Sequence, residues 1–211
     1  LGVLDRVADS IAGAVREAEL VLLAVPVGAM APVLRQVAAA ASPSVIVTDV
    51  GSTKVSVIEA ARAALASGRL PLQRFVPAHP IAGGELHGVE RADATLFRGK
   101  RLITTPLADT DPQALAQVEA LWTAAGAEVA RMAPEEHDRI FAAVSHLPHL
   151  LSFALVAQIA SEPDGSRKLG FAGAGFRDFT RIAASSPVMW RDIVLANRTA
   201  LSAELRGYRA L

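Results

Sequence analysis

The chain has 211 residues, 52% of them hydrophobic, which is enough apolar side chain for one ordinary core or two small ones. Its 21 basic and 21 acidic residues cancel without any long run of one sign, which argues against a broad nucleic-acid or acidic-membrane surface and leaves room only for a local charged pocket. Cysteine is absent, so disulfides, thiolate metal sites and cysteine nucleophiles are excluded.

From the N-terminal end, apolar strand-like runs alternate with helix-like runs, the rhythm of βαβ units. Leu1 is not a methionine and the chain is expected to be a fragment, so a leader or transit peptide would lie outside it. Asp9 or Ser10 suits the cap of a helix reaching about Glu19, and Leu20 to Val25 (LVLLAV) is apolar on both faces, as a central parallel strand requires. Pro26 ends it. The uncharged run Leu20 to Leu34 holds 15 residues broken by Pro26, Gly28 and Pro32, shorter than the roughly 18 of a spanning helix, so no membrane partner is expected. A helix is predicted from about Ala29 to Ala41, a strand over Ser44 to Asp49, a Gly51-Ser52 turn and an amphipathic helix from Thr53 to about Ala66. Strands over Arg74 to Ala78, Lys100 to Thr105 and Glu128 to Met132 follow, with a helix from about Asp111 to Ala125 between the last two.

Beyond Met132 no strand is predicted. Pro134 suits the first turn of a helix running to about Ala160, and further helices are expected over Phe176 to Ala184 and from Pro187 to about Arg206, the last capped by Ser185 or Ser186. The boundary between an α/β part, 1–132, and an all-helical part, 133–211, is therefore placed near residue 132.

Ligands of open parallel sheets collect outside the carboxyl ends of the strands. Three loop tips lie there: Val25-Pro26-Val27, Asp49-Val50-Gly51-Ser52 and Ala78-His79-Pro80. Gly51 allows close approach to the backbone, and Ser52 either offers a hydroxyl to a ligand or merely caps its helix. His79 directly follows a predicted strand, is held by Pro80, and precedes Gly83 and Gly84; an imidazole there either takes a proton from a substrate hydroxyl or ties down the loop. Glu85 orients a histidine, binds substrate or is a solvated loop charge, and His87 carries no comparable case.

In AVSHLPHLLSF, Ser145, His149 and Ser152 share one helical face at i, i+4 and i+7, and Pro148 should kink the helix by removing the bond that would reach Val144. The His146-x-x-His149 spacing lacks a completing ligand, and no metal is expected. In FRDFTRIAASSPVMWRDI, Arg177, Arg181 and Ser185 succeed one another at one-turn intervals; an arginine fork suits a carboxylate, while an Asp178–Arg181 pair would be an ordinary surface salt bridge.

Four segments, DVGSTK, PAHPIAGGE with HGVERADATLFRGK behind it, VSHLPH and FRDFTRIAASSPVMWRDI, together resemble the prephenate/arogenate dehydrogenase family of tyrosine biosynthesis, in the family's order and over nearly the whole chain. The resemblance implies a Rossmann-like parallel-sheet domain followed by an all-α dimerisation domain. It implies NAD- or NADP-dependent oxidative decarboxylation of prephenate or arogenate by a soluble, cytoplasmic homodimer with no nucleic-acid partner. His79 and Ser52 are the implied catalytic pair, the histidine drawing the proton of the substrate hydroxyl as hydride leaves. Arg181 is the implied carboxylate clamp, with His149, Ser145, Glu85 and Ser185 around the same substrate and Trp190 contributed by the partner subunit. Val25, Pro26, Asp49, Gly51, Ser52 and Pro80 are expected to face the nicotinamide cofactor. The family's glycine-rich turn is not among these residues, so the first βαβ unit, and with it the acidic or basic residue that selects NAD or NADP, is expected before Leu1. A different hydroxy-acid dehydrogenase, or a truncated non-catalytic dimerisation or regulatory module, remains the alternative.

Overall fold

The computed structural model describes residues 4–66, 69–84, 88 and 92–210, and the chain divides into two compact units. The first comprises residues 1–82 and 94–137, the second 83–93 and 138–211.

In the first unit, β1 (Leu20–Leu23), β2 (Ile46–Asp49) and β3 (Phe75–Val76) form a parallel sheet in that order, with Leu20 opposite Ile46 and Val47 opposite Phe75. Helices α1 (Ile11–Val15), α2 (Met30–Ala40) and α3 (Val55–Leu65) connect these strands. All four residues of β2 are buried because both of its faces are covered. Val47 joins a cluster with Leu34, Val37, Val57, Ala61 and Phe75, and Ile46 joins another with Val76, Leu102, Val118 and Trp122. β1, predicted as a central strand, pairs with β2 alone among the described residues, and its Leu22 is 42% exposed.

The strand predicted over Arg74 to Ala78 is two strands. Phe75 and Val76 pair with β2, whereas β4 (Ala78–Pro80) pairs antiparallel with β5 (Arg101–Thr104), which pairs parallel with β6 (Glu128–Arg131). Pro77 separates them: it has no N–H to donate, and its carbonyl accepts from Thr105 N at 3.0 Å. His79 thus lies within a strand, opposite Ile103, rather than in a loop after one. Helix α4 (Pro112–Ala124) begins as expected, with the Asp111 carboxylate accepting from Gln113 N. Helix α1 is shorter than expected, ending at Val15, and is capped by Ser10.

Helix α5 (Pro134–Phe141) runs through a π-turn (Ala142–His146) into α6 (Leu147–Ser161). Pro148 is the cause: without its N–H the ordinary ladder cannot close, and Leu147 N reaches back five residues to Ala142 O. This 28-residue helical run is long and apolar enough to cross a membrane by length and composition, although histidines, serines and Pro148 interrupt it in sequence.

The remainder of the second unit is helical: α7 (Gly165–Gly170), an element outside the predicted set, α8 (Ala174–Thr180) continuing as a 3-10 turn over Arg181–Ala184, α9 (Pro187–Ala196) and α10 (Arg198–Arg209). Ser186, not Ser185, caps α9, accepting from Met189 N. The single helix predicted from Pro187 to Arg206 is broken at Asn197, whose φ and ψ are −107° and 27°. Its buried amide nitrogen donates to Asp138 O at 2.7 Å and to His146 Nδ1 at 3.0 Å, two bonds that hold the break in place.

Candidate active site

In the first unit a cavity of about 450 Å³ opens at the strand ends. It is walled mainly by apolar side chains, among them Leu22, Ala24, Leu96, Phe97 and Leu121, with Ser52 and His79 as polar groups.

The end of β2 is locked to β4 by a buried ion pair. Asp49 and Lys54 are both fully buried; Asp49 Oδ2 accepts from Lys54 Nζ at 2.5 Å and Gly51 N at 2.7 Å, and Oδ1 accepts from Ala78 N at 3.1 Å. Lys54 Nζ also donates to Ala78 O at 2.5 Å. The backbone N–H and carbonyl of Ala78 are therefore tied to the 49–54 turn, and this fixes the strand on which His79 follows. Asp49, expected to face the cofactor, has its carboxylate spent on this brace. Gly51 is needed for the same reason: a Cβ there would lie 2.8 Å from Asp49 Oδ2.

Ser52 lines the cavity and does not cap α3, whose N-cap is Lys54 with no side-chain bond. Pro80 lines it as expected. Val25 and Pro26 do not: strand alternation turns Leu22 and Ala24 to the cavity, sends Val25 into the core, and leaves Pro26 exposed ahead of a 3-10 turn.

His79 Nδ1 lies 2.9 Å from Nε2 of His137, a fully buried residue of α5 with no local sequence signal to single it out. The rings meet edge-on, centroids 5.1 Å apart at 62°. Beyond Pro80 the backbone turns at Gly83, with φ of +149°, a region that disfavours side chains. Glu85, the expected substrate ligand, and His87 lie outside the described residues.

The second unit holds the remaining candidates. His149 Nδ1–H donates to Ser145 O at 2.9 Å, which makes Nε2 the acceptor of the neutral ring. The indole of Trp190 stacks on this imidazole, centroids 3.5 Å apart at 15°. The resemblance implies Trp190 from the partner subunit; here its contact is with His149 of its own chain, and it is 9% exposed. Ser185 is buried, and Arg181 is exposed at the head of the 3-10 turn. Arg177 is occupied with Ala172 O at 3.2 Å. Ser152, fully buried, donates to Phe179 O and serves packing. No group of histidine and acidic ligands able to hold a metal occurs among the described residues.

Burial pushes the His149 imidazole below its ordinary value, only partly opposed by the bond to Ser145 O. A base with a depressed folded value favours folding in its neutral form. Its contribution is therefore complete above about pH 6.5 and is lost as pH falls through the folded value. In an NMR pH titration the His149 ring protons are expected to move below the ordinary histidine midpoint; a midpoint at or above it would contradict the buried stack on Trp190.

These features define a two-part protein: a Rossmann-like α/β domain whose strands form a parallel three-stranded sheet and a mixed three-stranded sheet, followed by an all-helical domain. The family model described as "Prephenate dehydrogenase, nucleotide-binding domain" matches residues 1–131, and "Prephenate dehydrogenase, dimerization domain" matches 133–210. The chain belongs to the prephenate dehydrogenase family. It is 42% identical over 199 residues to cyclohexadienyl dehydrogenase of Zymomonas mobilis, covering 93% of this chain and 66% of that protein. It is 42% identical over 200 residues to prephenate dehydrogenase of Bacillus subtilis, covering 94% and 53%. The crystal structure of prephenate dehydrogenase from A. aeolicus in complex with hydroxyphenyl propionate and NAD+ superposes with a TM-score of 0.86 at 37% identity, over 96% of this chain and 70% of that one. The chain thus spans about half to two thirds of the length of these curated relatives.

Proposed function

We propose that the protein containing this chain is an NAD- or NADP-dependent prephenate or arogenate dehydrogenase, with residues 1–132 binding the nucleotide and 133–211 binding substrate and forming a homodimer. The observation that carries the reading is His79: a histidine fixed on a braced strand, lining an apolar cavity that Ser52 also lines, in a chain of this family.

The cavity fits a flat, weakly polar ring, since its walls are largely aliphatic and aromatic and its polar side chains are few, Ser52 and His79. Leu22, Ala24, Val50, Ser52 and Pro80 would hold the nicotinamide. When bound, that ring supplies the hydride acceptor.

The rest is done by the chain's own groups. His79 takes the proton of the substrate hydroxyl as the carbon beneath it loses hydride, and Ser52 orients that hydroxyl. Loss of the ring carboxylate as CO2 returns its bonding pair to the ring, which becomes aromatic, and His79 gives its proton back to the phenol oxygen. No net proton is released. Arg181 holds a carboxylate with its planar fork, and His149, Ser145, Ser185, Trp190 and Glu85 complete the substrate contacts. The apolar wall excludes water that would otherwise solvate the developing charge.

The helical unit supports dimer formation. Val144, Phe171, Val188 and Leu195 are each more than half exposed in the single chain, and the match of this segment is to a dimerization domain.

Absorbance at 340 nm tests the activity directly: prephenate and arogenate, each offered with NAD+ and NADP+, to the parent protein. One substrate–cofactor pair is expected to give turnover. Turnover with neither substrate would overturn the reading and favour another hydroxy acid.

A further inference from the structure

We propose that His137 is a positioning residue that holds His79 in the tautomer with its proton on Nδ1, so that Nε2 is the basic nitrogen. The inference rests on the proposed role of His79 as proton acceptor. The Nδ1···Nε2 distance of 2.9 Å admits one proton between the two rings, and it has two possible owners. If His137 Nε2 carries it, His79 Nδ1 is the acceptor, the neutral His79 bears its proton on Nε2, and it has no lone pair left for a substrate hydroxyl. If His79 Nδ1 carries it, His137 accepts, and His79 Nε2, on the far side of the ring, bears no hydrogen and is basic. Only the second arrangement permits the chemistry.

The same contact strengthens as the reaction proceeds. Once His79 has taken the substrate proton it is an imidazolium, and its Nδ1–H then donates a charge-assisted bond to His137 Nε2, stronger than the neutral bond before it. An interaction that gains strength as charge develops lowers the barrier, while one equally strong throughout only aids binding. His137 is suited to this role because it is fully buried, on the first turn of α5, so its nitrogen cannot be solvated away from His79. A neutral acceptor also avoids placing a carboxylate at this fully buried position, where desolvation would be costly.

The test has a spectroscopic and a kinetic arm, both on the full-length protein. With 15N-labelled histidine, His79 in the substrate-free parent is expected to show a protonated Nδ1 and an unprotonated Nε2. His137→Phe should shift His79 toward the other tautomer, and His137→Gln, whose carboxamide oxygen can accept from Nδ1–H, should restore it. A wrong tautomer in a hydrolytic triad costs about 10⁴ in kcat; with a neutral partner we expect about 10²-fold from His137→Phe, with KM and nucleotide affinity changed less than about threefold, and recovery to within about fivefold in His137→Gln. A parent whose His79 carries its proton on Nε2 overturns the proposal, as does a folded His137→Phe with parental kcat. If His137→Phe does not fold, the tautomer of the parent and the kinetics of His137→Gln still decide. Absence of turnover in the parent, with His79 in the expected tautomer, would sink the proposed reaction instead.

Discussion

His79→Asn is expected to lower kcat by about 10²–10⁴-fold while nucleotide binding and folding are kept. Asparagine reaches as far as Nδ1 of the imidazole, so its amide can still meet His137 Nε2, which lies 2.9 Å from Nδ1 in the parent chain. It has no atom where Nε2 stood, and it cannot accept a proton near neutral pH. The change therefore removes the proposed base and little else. Turnover at 340 nm with nucleotide titration checks this. A variant with parental kcat would move proton acceptance away from His79, and one that lost nucleotide binding as well would show His79 to be structural.

The largest effect on stability is expected from Lys54→Met. Lys54 and Asp49 have no exposed side-chain surface, and the ammonium bonds both the Asp49 carboxylate and Ala78 O at 2.5 Å. Without it, the carboxylate keeps only the N–H groups of Gly51 and Ala78. An unpaired buried charge costs about 3–5 kcal/mol, and urea unfolding should show a loss of that order. Replacing both partners, Asp49→Asn with Lys54→Met, removes the charge together with its counterion and should recover much of the loss; the double-mutant cycle measures the coupling. Additive losses would show that the two groups do not act as a pair. Because Ala78 precedes His79 in β4, the single variant should also lower kcat in whatever protein remains folded.

Elements whose signals are local are legible in the amino-acid sequence. The β2 strand, the Asp111 cap and Pro112 of α4, the Ser186-Pro187 start of α9 and the disturbance at Pro148 each follow from a few adjacent residues, because capping, proline sterics and burial alternation act within a turn or two. The segments around Ser52 and His79 are likewise enough to point to a family, and the family model that matches residues 1–131 spans both of them.

Features that depend on partners far along the chain are not legible in this way. The break between α9 and α10 exists because Asn197 bonds Asp138 and His146, 59 and 51 residues away. Asp49 looks like a cofactor ligand by position and becomes a brace because Lys54 and Ala78 N converge on it. His137 lies 58 residues from His79 in an ordinary acidic first turn. Sequence periodicity reports which face of an element is apolar, and that is sufficient for the layers of the fold. Which polar atoms meet inside those layers is set when the strands and helices are packed, since a buried donor or acceptor must find its partner wherever the chain happens to bring one.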